Sequence, residues 1–477
     1  MVHITCDPLP KSVAITLPPA TPRIGPIPKS IIRERIGQAV RLISEDTRNG
    51  NAEESLVAPP DWLVSSIHDR GDFPEPIRYL AGITRCPTLR PNGTVIQTPG
   101  YDATTGLVYD PDAEYPQVID SPSRETAVDC SNKLRDLVID FPFVNVNHRS
   151  AWLSMLLTMV ARPAIAGCCP MFAFDATASA AGKTTLCDLG SLIAYGTVAL
   201  KHSLPSSDSE VRKVITAVAL EAVPCCLFDN VTTTLGCASL DLALTTPIWS
   251  DRILGSSETT GALPMFTVWL ATGNNLSIGE DSFRRMVYCR LESVLERPDE
   301  RTDFKYADLL GHARSNRADL AVAAVTILRA YIAAGRPDMK LGRCSYPEWS
   351  SLVRSAIVWV GLPDPLTTRV ELTEADRSSE LLSMLHAGLS QVDPEGRGIT
   401  TAEIEAKLDE PRRQDGSDCY PVLRAAVNEL CGRTESVSRD LGVKLRSLSG
   451  RVQTGKKIAS RSAAGGVKKW FLTSVEV

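Results

Sequence analysis

The clearest pattern in the chain is a change of period. Between Arg124 and Arg162 apolar residues recur at helical spacing, first Leu134, Leu137 and Val138, then Trp152, Leu153, Leu156, Leu157 and Val160. From there to about Glu292, strand-length apolar runs alternate with helical stretches, the mark of a parallel α/β sheet. Ala307 to Trp359 reads as helices alone, and Arg317 to Ala334 carries a stripe at Leu320, Ala323, Ala324, Ile327, Leu328 and Tyr331. Before Arg124 the chain is rich in turn signals such as Pro91-Asn92-Gly93 and Pro99-Gly100-Tyr101-Asp102, with one helical pattern near Ile31 to Ser44. After a linker at Leu362-Pro363-Asp364-Pro365 come three helical patterns, Thr373 to Leu389, Thr401 to Leu408 and Pro421 to Cys431. A basic helix near Ser438 to Leu448 and two β-like segments, Lys456 to Ser460 and Lys468 to Thr473, complete the outline of a winged helix.

The pattern divides the chain into an N-terminal region of unreadable fold (1–73), a Pro/Gly-rich pre-core segment (74–145), an α/β core (146–300), a helical segment (301–365) and a winged-helix domain (366–477). Over 477 residues, 43% hydrophobic and 22% charged content excludes disorder, collagen and a coiled-coil rod. The longest apolar runs, Ala151 to Ala161 and Ala164 to Phe174, are divided by Arg162 and Pro163 and fall short of the ~20 residues that span a bilayer, so no membrane segment is expected. Met1 to Leu17 lacks the charged and apolar halves of a signal peptide, which predicts a cytoplasmic protein. Thirteen cysteines include the adjacent pairs Cys168-Cys169 and Cys225-Cys226 but no CxxC, and read as reduced, buried small hydrophobes, with no zinc site expected.

Charge is uneven. Arg433 to Val477 holds ten basic and three acidic residues, a net +7, which leaves −12 on the rest of a chain whose total is −5. A basic terminal module on an acidic body points to a polyanion as that module's partner.

The segment Ala173-Phe174-Asp175-Ala176-Thr177-Ala178-Ser179-Ala180-Ala181-Gly182-Lys183-Thr184-Thr185 reads as a strand end, a loop of small residues and a Gly-Lys-Thr that opens a helix. This layout suits phosphate binding: loop N–H groups and the helix N-terminus face the phosphates, Lys183 reaches the β and γ groups, and the Thr184 hydroxyl meets Mg²⁺. Thr177 stands where the motif usually has Gly, and a tight strand-to-helix turn is the alternative. Val223 to Asn230 is a buried strand ending in Asp229, which can enter the Mg²⁺ shell or cap a turn. Thr197 to Leu204 reads as a strand between the two motifs, which fits the ASCE class of P-loop ATPases. Phe266 to Ala271 leads into Thr272-Gly273-Asn274-Asn275, whose amides can orient an attacking water or form a Gly-Asn turn. Arg284 and Arg285 precede a further strand, where an arginine can reach a neighbouring subunit's γ-phosphate or serve as a surface pair.

In this order Gly-Lys-Thr, Leu-Phe-Asp-Asn, Ala-Thr-Gly-Asn-Asn and Asp-x-x-Arg-Arg resemble the AAA+ ATPase core of phage and mobile-element replication helicases of primase-helicase type, related to superfamily 3 and minichromosome-maintenance-type helicases. Cys86 to Gly93 and Pro99 to Leu107 resemble the segment before that core. The resemblance implies ATP held by Thr177, Ala178, Ser179, Ala180, Ala181, Gly182, Lys183, Thr184 and Thr185, with Asp229 as the Walker B acid and Mg²⁺ on Thr184 and Asp229. It further implies Asn274 or Asn275 as sensor 1, Arg284 or Arg285 as a trans-acting finger, and Arg354 as a sensor 2 candidate. Asn230 stands where most such proteins carry a catalytic Glu, with Glu221 and Glu258 as possible substitutes. Arg252 falls where these helicases present a DNA-contacting hairpin. Lys444, Arg446, Arg451, Lys456, Lys457, Lys468 and Lys469 are the DNA candidates of the terminal module. Asp110-Pro111-Asp112, near Glu114, reads as a surface turn with no primase chemistry. The function implied is an ATP-driven DNA helicase acting as a hexameric ring on single-stranded or forked DNA beside a primase or other replication proteins, in a bacterial or phage-infected cell. The alternative is an initiator or helicase loader that uses ATP as an assembly switch.

Overall fold

A computed structural model describes residues 2–6, 22–46, 53–70, 73–74, 77–177, 180–252, 259–293, 303–411, 418–432, 437–450, 452–453, 456–462 and 467–474. The chain divides into two compact units, Met1–Thr368 and Arg369–Val477.

A helix that is apolar on every side is stable only when enclosed. Helix α2 (Val146–Ala161), which contains the first of the two longest apolar runs, is of this kind, and from His148 onward all its residues but Arg149 are buried. It follows α1 (Arg124–Asp136), whose first turn is capped by the Ser123 hydroxyl accepting the Thr126 N–H at 3.2 Å. Strands and helices then alternate as the pattern predicts: β1 (Met171–Ala176), α3 (Lys183–Tyr195), β2 (Leu200–His202), α4 (Asp208–Leu220), β3 (Cys225–Val231), α5 (Ala238–Thr245), β4 (Val268–Asn274), β5 (Met286–Leu291) and α6 (Arg317–Ala333).

The five strands form one parallel sheet in the order β2-β3-β4-β1-β5. The chain leaves β1 for one edge of the sheet and returns to β5 on its other side, and such a reversal opens a crevice at the carboxyl ends of the strands. Two residues set the level of that crevice: Ala176 lies opposite Asn274, and Asp175 lies between Gly273 and Arg290. Trp152 on α2 donates its indole N–H to the Leu186 carbonyl of α3 at 3.1 Å, fixing the helix that leaves β1 against the enclosed one.

Two expectations need correction. The strand read over Thr197 to Leu204 is only three residues long and lies at the sheet edge; the strand between β1 and β3 in space is β4. Ala307 to Trp359, read as ordinary helices, contains a π turn at Ser350–Arg354. Asp110, Asp112 and Glu114 are exposed, as a surface turn requires, and Arg317, itself buried, pairs with Asp112. The Arg317 Nε also donates to the Leu192 and Ile193 carbonyls at 2.9 and 3.2 Å, at the end of α3 where the Leu192 carbonyl already accepts the Gly196 N–H. The pre-core segment is thereby drawn onto the core, where Cys86, Leu89 and Val118 join the main apolar cluster.

The described cysteines other than Cys6 are free, and burial pushes the Cys226 thiol up to about 12, as expected of an inert small hydrophobe. No helix among the described residues is long and apolar enough to cross a membrane. Towards the N-terminus, helices at Lys29–Ala39 and Asp61–His68 share a small cluster of Ile27, Ile32 and Val64.

The second unit holds α7 (Thr367–Val392), which begins just before it, then α8 (Thr401–Leu408), α9 (Pro421–Cys431) and α10 (Val437–Leu448). An antiparallel pair follows, β6 (Lys456–Ser462) and β7 (Lys468–Ser474), edged by Val452–Gln453. Helix α8 starts with a capping box between Thr400 and Glu403. Leu385, Leu423, Leu445, Ile458 and Trp470 meet in one core.

Gly273 in β4 tests how tightly the carboxyl end of the sheet is built. A Cβ there would come within 2.8 Å of the Val231 carbonyl oxygen, which is backbone, whereas the close contact of one at Gly190 would be with Met155 Cε, the end of a flexible side chain. Gly273→Ala is expected to cost about 1 to 3 kcal/mol in urea denaturation, and Gly190→Ala to be near neutral.

Candidate functional site

The loop after β1 turns through two left-handed residues, Ala180 (φ 58°) and Gly182 (φ 90°). Gly182 is required twice over, because a side chain there would also meet the Phe141 ring at 2.6 Å. Left-handed residues in such a loop turn successive N–H groups to a common side, and α3 starts immediately after, its first-turn N–H groups lacking helical partners. The result is an anion-accepting corner at the carboxyl end of β1. Thr177 is exposed at its entrance and Ala181 is buried beneath it, while Ala178 and Ser179 lie outside the described residues.

Four predicted side chains come together here. The Lys183 ammonium donates to the Asn274 side-chain oxygen at 2.6 Å. Burial pulls the Lys183 pKa below the usual lysine range, although Asp175 and Asp229 oppose the shift. The Thr184 hydroxyl donates to Asp229 Oδ1 at 2.9 Å, so helix α3 and strand β3 are joined across the crevice. Thr185 occupies the same first turn, half-buried.

Thr272 was not assigned a role from sequence. Its hydroxyl donates to the same Asp229 Oδ1 at 2.6 Å and accepts the Asn230 N–H at 2.9 Å. Asn230 itself is left-handed (φ 52°) and exposed, at a bulge in the pairing of β3 with β4. Asn275 is also left-handed (φ 51°), and its N–H is tied to the Ala176 carbonyl at 3.1 Å.

Asp175 is the second residue missed, although a lone acid in a strand as apolar as β1 is itself a signal, since a buried carboxylate must find partners. It is 1% exposed. Its Oδ1 accepts the Leu276 N–H at 3.0 Å, and its Oδ2 accepts the Tyr288 hydroxyl at 2.6 Å and the Arg290 guanidinium at 3.1 Å. One carboxylate therefore joins the ends of β1 and β5 to the turn that carries Asn274 and Asn275. Burial, reinforced by Asp175, raises the Tyr288 pKa, so the phenol remains a donor.

The two arginines before β5 are in different situations. Arg285, 14% exposed, pairs with Asp241 at 3.0 Å and donates to the Asp281 carbonyl at 2.7 Å. Arg284 is 63% exposed and, among the described residues, makes a surface ion pair with Asp281 at 3.1 Å. Arg354 is not brought to this cluster: it is buried in a two-pronged pair with Asp364 at 2.8 and 2.5 Å. Glu221 ends α4 at the amino-terminal end of β3, the opposite end from Asp229, and Glu258 lies outside the described residues.

Arg252 sits on an antiparallel hairpin in which Ile248 and Trp249 pair with Pro264 and Leu263, and Arg252 itself with Thr259. Asp251 anchors it to α4 through Arg212 and Thr216 at 2.9 and 2.8 Å. In the second unit Lys444 and Arg446 are exposed on α10. The register of β6 and β7 puts Lys457 and Lys469, with Arg461, on the face opposite Ile458 and Trp470, while Lys456 and Lys468 mark the two ends of the inward face. Arg451 lies outside the described residues.

No family model and no curated protein matches the chain. Among solved structures it is similar to an apo form of the NrS-1 C-terminal region, with a TM-score of 0.38 and 12% identity over 92% of this chain and 98% of that one. It is also similar to the JCV helicase, with a TM-score of 0.22 and 14% identity over 52% of this chain and 68% of that one. The functional reading therefore rests on the residues of the site.

Thr272→Val keeps the shape but removes the donor to Asp229 and leaves the Asn230 N–H unmatched. It is expected to cost about 1 to 3 kcal/mol in chemical denaturation, with Thr272→Ser close to wild type.

Proposed function

We propose that the chain is an ATP-dependent DNA helicase of phage or mobile-element replication, with an AAA+ core of the ASCE P-loop class, acting as a hexameric ring with ATP between subunits. The observation that carries this reading is the convergence of Lys183, Thr184, Asp229 and Asn274 at the carboxyl ends of three adjacent parallel strands, β4 lying between β1 and β3.

In this reading the turn at Ala180 to Gly182 and the start of α3 receive the phosphates, and Lys183 exchanges the Asn274 oxygen for a phosphate oxygen. Asn274, released, orients the attacking water. A hydroxyl and a carboxylate 2.9 Å apart are donors of the kind Mg²⁺ uses when its other ligands are waters and phosphate oxygens, so Thr184 and Asp229 would hold it. Held by Thr184 and Asp229, such an ion would supply neutralising charge beside the transferred phosphoryl group. Arg284, exposed, is the finger that reaches the neighbouring subunit, and Arg285, tied to Asp241, braces it. Single-stranded or forked DNA meets the Arg252 hairpin, and a winged helix formed by the second unit adds a basic surface. A primase is the expected functional partner.

One observation favours the initiator or loader reading: the position after Asp229 is an exposed amide, Asn230, and an amide cannot accept a proton.

The test is steady-state ATP hydrolysis with and without single-stranded DNA, alongside mass photometry. Turnover should rise with DNA, vanish in Lys183→Ala, and fall by roughly a thousandfold in Arg284→Ala with the rings retained. Nucleotide-dependent assembly without turnover would favour the initiator. The ammonium of Lys183 is the form that binds phosphate, and burial lowers its pKa. Affinity for ATP should therefore weaken with rising pH sooner than an ordinary lysine would allow, and Lys183→Arg should flatten that profile.

A further inference from the structure

Beyond the end of α6 the chain folds back as a strap from Gly335 to Tyr346. Two of its basic residues, Arg336 (φ 52°) and Lys340 (φ 53°), are left-handed, a conformation that costs energy in any residue but Gly and gathers where function requires it. The strap is held firmly. Tyr331 donates its hydroxyl to the Pro337 carbonyl at 3.0 Å, and buried Arg354, braced by Asp364, donates to the Gly342 carbonyl at 2.6 Å. Between the strap and the π turn at Ser350–Arg354 lies a groove of about 570 Å³. Single turns of π-helix recur at functional sites.

Arg336 and Arg343 line this groove from the two ends of the strap, with Met339 and Leu341 between them. Among the described residues neither guanidinium has a carboxylate partner, nor does Lys340. Asp338 also lines the groove, but one of its oxygens is committed to the Lys340 N–H at 2.9 Å. The far end of the strap touches the arginine pair before β5: Ser345 and Tyr346 donate their hydroxyls to the Arg284 and Arg285 carbonyls, each at 3.2 Å.

We propose that this groove binds the phosphodiester backbone of single-stranded nucleic acid. Cations spread along a strap, with apolar side chains between them, match a chain of phosphates with bases beside it rather than one compact phosphate cluster. Occupancy bears on the strap and through it on the backbone of Arg284 and Arg285, so the groove couples the nucleic acid to the arginine proposed to act between subunits. The inference rests on nucleic acid being the partner proposed above.

Fluorescence anisotropy of a labelled oligo(dT), titrated with the full-length chain across a range of salt concentrations, tests it. Arg336→Ala/Arg343→Ala should raise Kd by about tenfold and reduce the slope of log K against log salt by about 1.4, the contribution of two phosphate contacts on a single strand. Arg336→Lys/Arg343→Lys should restore most of the slope, and thermal melting should show all three proteins equally folded. Unchanged Kd and slope in a folded double-alanine variant would overturn the groove assignment. A wild-type chain that binds no oligonucleotide would overturn the nucleic-acid reading as a whole.

Discussion

Neutralising the buried charge at one edge of the parallel sheet is the constraint on which the rest of the site depends. A parallel sheet is covered on both faces, so its strands are apolar, and any charge at their ends must be matched locally or left to a ligand. Here Lys183, Asp175 and Asp229 gather at the carboxyl ends of β1 and β3 and the start of α3. Asp175 is matched by Arg290 and Tyr288, and Asp229 by two threonine hydroxyls. Lys183 hydrogen-bonds a neutral amide oxygen at 2.6 Å, and burial lowers its pKa. An anion entering that corner gains more from this ammonium than from an exposed one, because less solvent screens it.

The same economy explains the bracing around the site. Asp229 is aimed by Thr184 from one side and Thr272 from the other, so the carboxylate has little freedom of rotation. Asp175 holds the turn after β4 through the Leu276 amide, which sets where Asn274 can point. Arg317, at the far end of α3, donates to carbonyls of the helix's last turn and draws the pre-core segment against it through Asp112. The helix that carries Lys183 is thus fixed at both ends.

Much of this was legible in the sequence because period and composition are local. The β/α alternation, the buried α2 and the strand-end positions of Asp229 and Asn274 follow from runs of apolar residues and their breaks. Strand order was not legible: Thr197 to Leu204 looked like the inserted strand because it lies between the two motifs in the chain, but insertion is a relation in space. The partners of the charges were hidden for a related reason. Thr272 is 43 residues from Asp229, Tyr288 is 113 from Asp175, and Asp112 is 205 from Arg317. The same distance effect separates the two arginines, since Asp241, which secures Arg285 and leaves Arg284 exposed, belongs to another helix.

The central claim is that the corner at Gly182, Lys183 and Thr184 is a nucleotide site with Asp229 as its metal-side acid. Isothermal titration calorimetry with a non-hydrolysable ATP analogue, with and without Mg²⁺, measures it directly on wild type, Lys183→Ala and Asp229→Ala. The account predicts binding to wild type that is lost in Lys183→Ala, and a gain from Mg²⁺ that disappears in Asp229→Ala. Equal binding by wild type and Lys183→Ala, or none by either, would contradict it.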